Sequence, residues 1–444
     1  MIHLSCLSSL RLGDLVKCAV ITVGLGFGDE GKGATVDYLA RELGADLVVR
    51  YCGGSQAGHN VELPDGRRHT FSQFGAGTLA PSRPRTYLGP AMVIDPPAML
   101  REARHLAELG VPDPLQLVTV HPRCLVTTPW LRLLNHAREL ARGDAKHGSC
   151  GQGIGETRSY WLRYGEDAIF AADLHASETL RHKLELQRQR VLLELQPLLA
   201  ASPTDALHNL GADVWEVTAE DVVAEVASAF REVAVAVEVP PHTTAILEGA
   251  QGVLLDEYRG FHPHTTWSTV TPHHAWELID RMGSEAVTVL GITRAYTTRH
   301  GDGPFPTFSA DLTSRYPDPG NPRNRWQGGL RCGWLDLPLV RYAVAVTGRL
   351  DGLVVNHLDQ AGGVGFCVSD SYRNTRLEPS PVPDLAWQGR LTEQMWQAEP
   401  ILTPATPAGV LRALASIVPV VVTGSGPTHR DRTCSGLSFR TRRA

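Results

Sequence analysis

A glycine-rich loop set between a strand and a helix constrains this chain more than any other stretch. Residues 26–33 read Gly26-Phe27-Gly28-Asp29-Glu30-Gly31-Lys32-Gly33; they follow the apolar run 18–23 and lead into helical spacing over 35–43. Such a loop turns backbone amides and a helix N-terminus toward one point, which suits a phosphate, and a lysine there neutralises its charge. The spacing Gly26-x4-Gly31-Lys32 is that of a P-loop, but Gly33 stands where a Ser or Thr hydroxyl would bind magnesium. Asp29, inside the loop, can supply the missing oxygen. The bland alternative is a tight turn that binds nothing.

The rest of the pattern points to one α/β fold. Apolar runs at 47–51, 245–247, 287–292, 353–355 and 418–422 read as strands, and helical spacing lies between them at 99–109, 130–141, 180–199 and 221–233. Continuous apolar strands separated by helices predict a mostly parallel sheet covered on both faces. Pro/Gly-rich stretches at 301–306, 316–329 and 377–387 are long loops, the kind that carry function. With 444 residues, no internal repeat and no clear linker, a single elaborated domain over 18–444 is expected. Residues 1–17 carry Arg11 and Asp14, which spoil a signal-peptide reading; they look like a disordered extension or a misplaced start.

Composition narrows the function classes. A net charge of −5 argues against a nucleic-acid binder working through a basic surface. Eight scattered cysteines without a CxxC pair read as reduced thiols, so a cytoplasmic chain is expected. No apolar run reaches the roughly 18 residues needed to span a bilayer.

A second glycine turn, Gly53-Gly54-Ser55-Gln56-Ala57-Gly58-His59-Asn60, follows the next strand. A histidine beside a phosphate loop is a candidate donor to a phosphoryl oxygen. The two turns together, GDEGKG and then GG-x-x-AGH, resemble adenylosuccinate synthetase. The resemblance continues in order through 148–155, 247–256, 290–307, 333–336, 356–359 and 423–427, from about residue 18 to the C-terminus.

What the resemblance implies is a GTP-dependent carbon–nitrogen ligase of purine biosynthesis. In that family, aspartate is joined to the six position of IMP. Asp29 would take the N1 proton of the purine and bind magnesium, and the six-oxygen would then attack the γ-phosphate of GTP. His59 would donate to the transferring phosphoryl, Lys32 would neutralise it, and the Gly58 carbonyl would complete the shell of one Mg2+. Gly28, Glu30, Gly31 and Gly33 would line the GTP phosphates. Guanine would be read by Asn356, His357 and Asp359 and by the turn holding Ser425 and Gly426. His357 stands where the family has lysine. Gln56, Cys150, Gln251 and Thr266 match the purine-nucleotide pocket, with Gln56 in place of asparagine and Cys150 in place of a phosphate-binding threonine. Arg163, or Tyr164 if the match slips by one, would reach the phosphate in a neighbouring subunit, which implies a homodimer.

Departures gather on the amine side. Gln152 stands in place of an arginine that contacts aspartate. The stretch Arg325-Trp326-Gln327-Gly328-Gly329-Leu330-Arg331 replaces a loop rich in arginine. Gln152, Arg325, Trp326 and Arg331 are therefore the candidate amine-binding residues. Three readings stay open: ordinary aspartate ligation, with Arg325 or Arg331 rotating in; a specialised paralogue using another amine or another 6-oxopurine nucleotide; and a non-catalytic GTP-binding regulator. Retention of Asp29, Lys32, Gly58 and His59 together speaks against the last.

Overall fold

The structure, a computed structural model, describes residues 2–3, 16–143, 148–201, 216–318, 320–321, 323, 326–361 and 365–441. Its centre, among the described residues, is a twelve-stranded sheet: ten strands on one path, with Ile2–His3 and Ser438–Thr441 off it. The strands in chain order are β1 (Cys18–Gly24), β2 (Leu47–Arg50), β3 (Arg85–Leu88), β4 (Val118–Val120), β5 (Ala234–Val235), β6 (Thr244–Gly252), β7 (Ala286–Arg294), β8 (Gly352–Asn356), β9 (Val420–Gly424) and β10 (Arg432–Cys434). Along the path the order is β5-β4-β3-β2-β6-β1-β7-β8-β9-β10, and every neighbouring pair on it is parallel except β9 with β10; off the path, Ser438–Thr441 runs antiparallel to β7. The expected mostly parallel α/β architecture is what the chain adopts.

β1 lies between β6 and β7, with Val20 facing Ile246 on one side and Thr288 on the other. All seven of its residues are buried. A strand enclosed on both faces and both edges has no solvent side to alternate toward, which explains its continuous apolar reading. Thr22, the polar exception, donates its hydroxyl to Leu247 O at 3.1 Å. This strand delivers the glycine loop, and helix α1 (Lys32–Leu43) leaves from it.

Helices α2 (Pro96–Glu108), α3 (Pro129–Arg142), α4 (Ile154–Tyr164), α5 (Ser177–Ala201) and α6 (Ala219–Phe230) build one flank. Asp95 and Thr128 cap α2 and α3, each followed directly by proline. Such caps contribute about 1 kcal/mol each and fix where the preceding loops end. Further on come α7 (His273–Met282), α8 (Ala310–Arg315), α9 (Leu337–Thr347), α10 (Leu385–Trp396) and α11 (Pro407–Ala415).

One expectation needs correction. The stretch 377–387 is not loop throughout, because Asp384 caps α10 by accepting from Trp387 N at 3.0 Å. Its prolines end at Pro383, which leaves the following residues free to turn into a helix. Within residues 1–17, Ile2–His3 form a short antiparallel pair with Ser438 and Phe439, and Lys17 Nζ donates to Met282 O at 3.4 Å. Residues 4–15 lie outside the described residues.

Asp336 shows how burial sets a charge in this fold. Its carboxylate caps α9 through Leu339 N at 3.2 Å and accepts from Tyr372 OH at 2.7 Å. Burial outweighs these bonds and pushes its carboxyl up to about 7. A raised carboxyl stabilises the fold most below the unfolded value, and that contribution is lost as pH rises through 7. Replacing Asp336 by Asn should flatten this dependence. Between pH 5 and pH 8 the wild type should lose up to about 3 kcal/mol more stability than Asp336→Asn, at about 1.4 kcal/mol per pH unit over the interval below 7. Parallel curves for both proteins in urea titrations would contradict this origin.

Candidate active site

The glycine loop is held in shape by one of its own acids. Glu30 Oε1 accepts from Gly26 N at 3.0 Å and Gly28 N at 2.7 Å, and its Oε2 pairs with Lys32 Nζ at 2.7 Å. Lys32 also donates to Gly28 O at 2.6 Å. Glu30, expected among the GTP contacts, therefore points its carboxylate into the loop, where it satisfies amides and balances the lysine. An ammonium has three donors, and these two bonds leave one for a phosphate. Gly31 starts α1 with φ +84°, a conformation that glycine adopts without strain.

Close packing brings the second glycine turn to the first. A Cβ on Gly33 would lie 2.7 Å from His59 C and 2.8 Å from Asn60 O. The position that carries a hydroxyl in an ordinary P-loop is glycine here because the backbone at His59 fills that space.

His59 is 5 % exposed and its Nδ1 hydrogen-bonds Glu248 Oε1. Glu248 is fully buried; its Oε2 accepts from Ala76 N at 3.0 Å and lies 4.0 Å from Arg50 Nε. Burial raises the Glu248 carboxyl, but Arg50, His59 and the Ala76 amide together hold it below the usual range. Burial first, and then the charge of Arg50, pull the His59 ring down to about 4 against the opposing pull of Glu248. At neutral pH the ring is thus neutral, with its proton on Nδ1. His59 Nε2 is buried and has no hydrogen-bond partner. Donation from Nε2 therefore needs a second proton, which an arriving phosphate anion favours.

Asp29 is half-buried at the top of the loop. Burial, opposed by Arg294 and reinforced by Glu30, raises its carboxyl above the ordinary value, the direction that suits a general base. Arg294 Nε donates to Asp29 O, and Asn321 Nδ2 reaches Asp29 Oδ1 at 3.2 Å from the long loop after α8. The Asp29 carboxylate is a hard oxygen donor of the kind magnesium takes.

The purine-side candidates lie on elements stitched together at glycines. Cβ atoms added at Gly53, Gly54 and Gly155 would lie 2.4 Å from Ala250, 3.1 Å from Ile154 and 2.9 Å from Trp267. The turn of Gln56, the loop of Cys150, Gln251 and the segment of Thr266 are thereby neighbours. Gln251 adopts φ +55°, rare for a non-glycine residue, and the Oε1 atoms of Gln56 and Gln251 are buried without partners. Thr266 is held by its backbone N to Leu255 O at 2.8 Å. Burial raises the Cys150 thiol, so it is a neutral, weak donor.

Elsewhere the structure redirects several candidates. Asn356, expected to read guanine, donates Nδ2 to Glu30 O at 2.8 Å and to Thr35 Oγ1 at 3.1 Å, so it braces the phosphate loop. Asp359 is exposed just beyond β8. His357 takes φ +60°; burial and then Arg294 pull its ring down to about 2, which leaves it a neutral aromatic beside Tyr296. The turn of Ser425 and Gly426 ends the adjacent β9, with Ser425 N on Asp431 O at 3.0 Å. Arg163 is 63 % exposed and pairs with Glu194 of its own chain at 2.9 Å.

On the amine side, Arg331 Nη2 donates to Gly301 O at 2.7 Å and Gly303 O at 3.2 Å. Both bonds use Nη2, so this nitrogen is committed to main-chain carbonyls. Trp326 stacks on His136 of α3, with ring centroids 4.1 Å apart and an angle of 5°. Gln152 is exposed, and Arg325 lies outside the described residues.

Comparison with known proteins decides the family. The adenylosuccinate synthetase family profile matches residues 21–391. The chain belongs to the adenylosuccinate synthetase family. It is therefore related to carbon–nitrogen ligases. An adenylosuccinate synthetase of Prochlorococcus marinus (strain MIT 9313) is 34 % identical over 442 residues, covering 93 % of this chain and 95 % of the relative. That of Gloeobacter violaceus is 35 % identical over 385 residues, covering 82 % and 80 %. The fold also matches the fully ligated adenylosuccinate synthetase of Plasmodium falciparum, with a TM-score of 0.70, 20 % identity, and coverage of 95 % of this chain and all of that one. A cyanophage S-2L succinoaminodeoxyadenylate synthetase, bound to dGMP and to dATP as energy donor, matches with a TM-score of 0.56 at 19 % identity, covering 94 % and 95 %. No helix among the described residues is long and apolar enough to cross a membrane.

Sequence reasoning missed Arg50, Glu248 and Arg294. The signal was available: Arg50 and Arg294 end buried apolar strands, and Glu248 directly follows the apolar run 245–247 within one. Replacing Glu248 by Gln would leave Arg50 buried without its counter-charge, and breaking a buried pair in this way costs about 3–5 kcal/mol. Urea unfolding should show that loss, and a change below 1 kcal/mol would mean that Arg50 is balanced elsewhere.

Proposed function

We propose that this chain is a GTP- and magnesium-dependent ligase that phosphorylates the six-oxygen of a 6-oxopurine nucleotide, IMP foremost, and lets an amine displace the phosphate. The observation that carries this reading is the joining of two loops: Asp29, with its raised carboxyl, beside a second turn whose His59 holds a buried, unpartnered Nε2. A regulator that only bound GTP would need neither.

In this account Asp29 takes the purine N1 proton, and the electron pair moves onto the six-oxygen. That oxygen bonds to the γ-phosphorus as the bond to GDP breaks. His59, charged by the arriving phosphates and steadied by Glu248, donates through Nε2 to the transferring group, while the loop amides and Lys32 hold it. Bound magnesium would sit on Asp29 and the Gly58 carbonyl and neutralise charge on the phosphates. The amine nitrogen then bonds to C6, and phosphate leaves with the former six-oxygen. Asp359 accepts from guanine N1 and N2, with His357 as a neutral ring beside the base. Arg163, on the exposed face of α4, is the residue proposed to cross a homodimer interface.

For the amine, aspartate is the family's substrate. A second reading, an amine other than aspartate, has its own support: Arg331 is engaged by Gly301 O and Gly303 O, and Gly328 and Gln152 stand where charged anchors are expected. Each lost charge-assisted bond is worth about 1.5–3 kcal/mol, roughly tenfold or more in affinity. The test is a panel of amino acids and simple amines with IMP, GTP or ATP, and magnesium, read by phosphate release and product mass. The expected result is turnover with IMP and GTP, poorer turnover with ATP, and a half-saturating aspartate concentration well above that of another amine. Tight saturation by aspartate alone would restore ordinary adenylosuccinate synthesis. Hydrolysis of GTP without any new purine product would overturn the ligase reading.

A further inference from the structure

Away from the loops just described, the first turn of α7 gathers three metal-binding side chains. One ring nitrogen each from His273 and His274 and one carboxylate oxygen of Glu277 lie within 4.8 Å of one another. His274 Nδ1 is 2.9 Å from Glu277 Oε2, and His273 Nε2 is 3.6 Å from Glu277 Oε1. The spacing is a property of the helix: positions three and four apart share a face, so Glu277 stands under both histidines. The opposite face, with Ala275, Leu278, Ile279 and Met282, is buried, which fixes the three polar groups outward.

Tetrahedral ligands at about 2.0–2.1 Å from zinc sit roughly 3.4 Å apart. One of the two measured separations is close to that and the other is shorter. The side chains of His273 and Glu277 are 64 % and 54 % exposed, so small rotations can close the set without moving the backbone. Two imidazoles and a carboxylate suit zinc, copper or nickel, whereas magnesium prefers oxygen alone. An exposed ion pair between Glu277 and the two histidines is the competing account, and it would hold no ion. The N-terminal end of a helix also repels a cation, but that effect is small beside three ligand bonds.

We propose that His273, His274 and Glu277 form a surface site for a divalent transition-metal ion, separate from the magnesium of the phosphate loop. Its position gives it a structural consequence. The segment of Thr266 runs directly into α7 and is anchored by Asp256 Oδ2, which accepts from Val270 N at 2.6 Å and Thr271 N at 3.1 Å. An ion clamping the first turn of α7 would fix the exit of that segment and so stabilise the fold on binding.

The experiment is calorimetric titration of the full chain, without nucleotide, with zinc chloride, and an optical titration with cobalt(II) for coordination geometry. One ion per chain should bind in the presence of excess magnesium, with nitrogen and oxygen ligation and a raised melting temperature. His273→Ala, His274→Ala and Glu277→Gln should each weaken binding by about tenfold or more, since loss of even a supporting partner costs 10–100-fold. These positions lie outside the proposed catalytic groups, so turnover with magnesium should be unchanged. No saturable binding would overturn the site. Binding that all three variants leave untouched, or cobalt bands typical of thiolate ligation, would assign the ion to the cysteines instead.

Discussion

The buried carboxylate of Glu248 is the interaction on which the geometry of the candidate site depends. It sits in the central sheet, and three groups from different segments converge on it: the His59 ring, the Ala76 amide and the Arg50 guanidinium. A carboxylate taken wholly out of water is costly, and these partners offset the cost only while all are in place. The same contact orients His59, fixes which nitrogen carries the proton and leaves the other buried without a partner. Position and tautomer thus come from one buried carboxylate, while burial and the Arg50 charge keep the ring neutral.

Much of this was legible in the sequence, for a physical reason. β1, β6, β7 and β8 are enclosed, so their apolar runs stand out, and the glycine loop announces itself because a phosphate cradle needs bare backbone. Short strands such as β3 and β4 escaped notice because Arg85 and Thr119 interrupt their apolar patterns. Partnerships across the chain were not readable either. Nothing local says that Asn356 braces Glu30, that Arg331 Nη2 bonds to Gly301 and Gly303, or that Glu30 turns inward to Lys32. These depend on which loops fold onto each other, and that is decided by close contacts such as Gly33 on His59.

The two halves of the site differ in how firmly they are built. The phosphate half is assembled from strand ends and a helix start, with a charge balance complete inside the loop. The amine half consists of loops held by carbonyl contacts from Arg299 and Arg331 and by the stack of Trp326 on His136. Arg299 is fully buried and burial lowers it to about 9, yet its partners are main-chain oxygens of Asp302, Pro304 and His264. These arginines act as loop staples.

Isotope transfer tests the central claim, activation of the purine oxygen, most directly. A 6-oxopurine nucleotide that supports turnover is labelled with oxygen-18 at position six, and the phosphate released during turnover is analysed by mass. If the purine oxygen attacks the γ-phosphate and leaves with it, the label should appear in phosphate in proportion to product, and Asp29→Asn should suppress both together. Unlabelled phosphate, its fourth oxygen drawn from water, would contradict the account and leave a GTP hydrolase on a ligase fold.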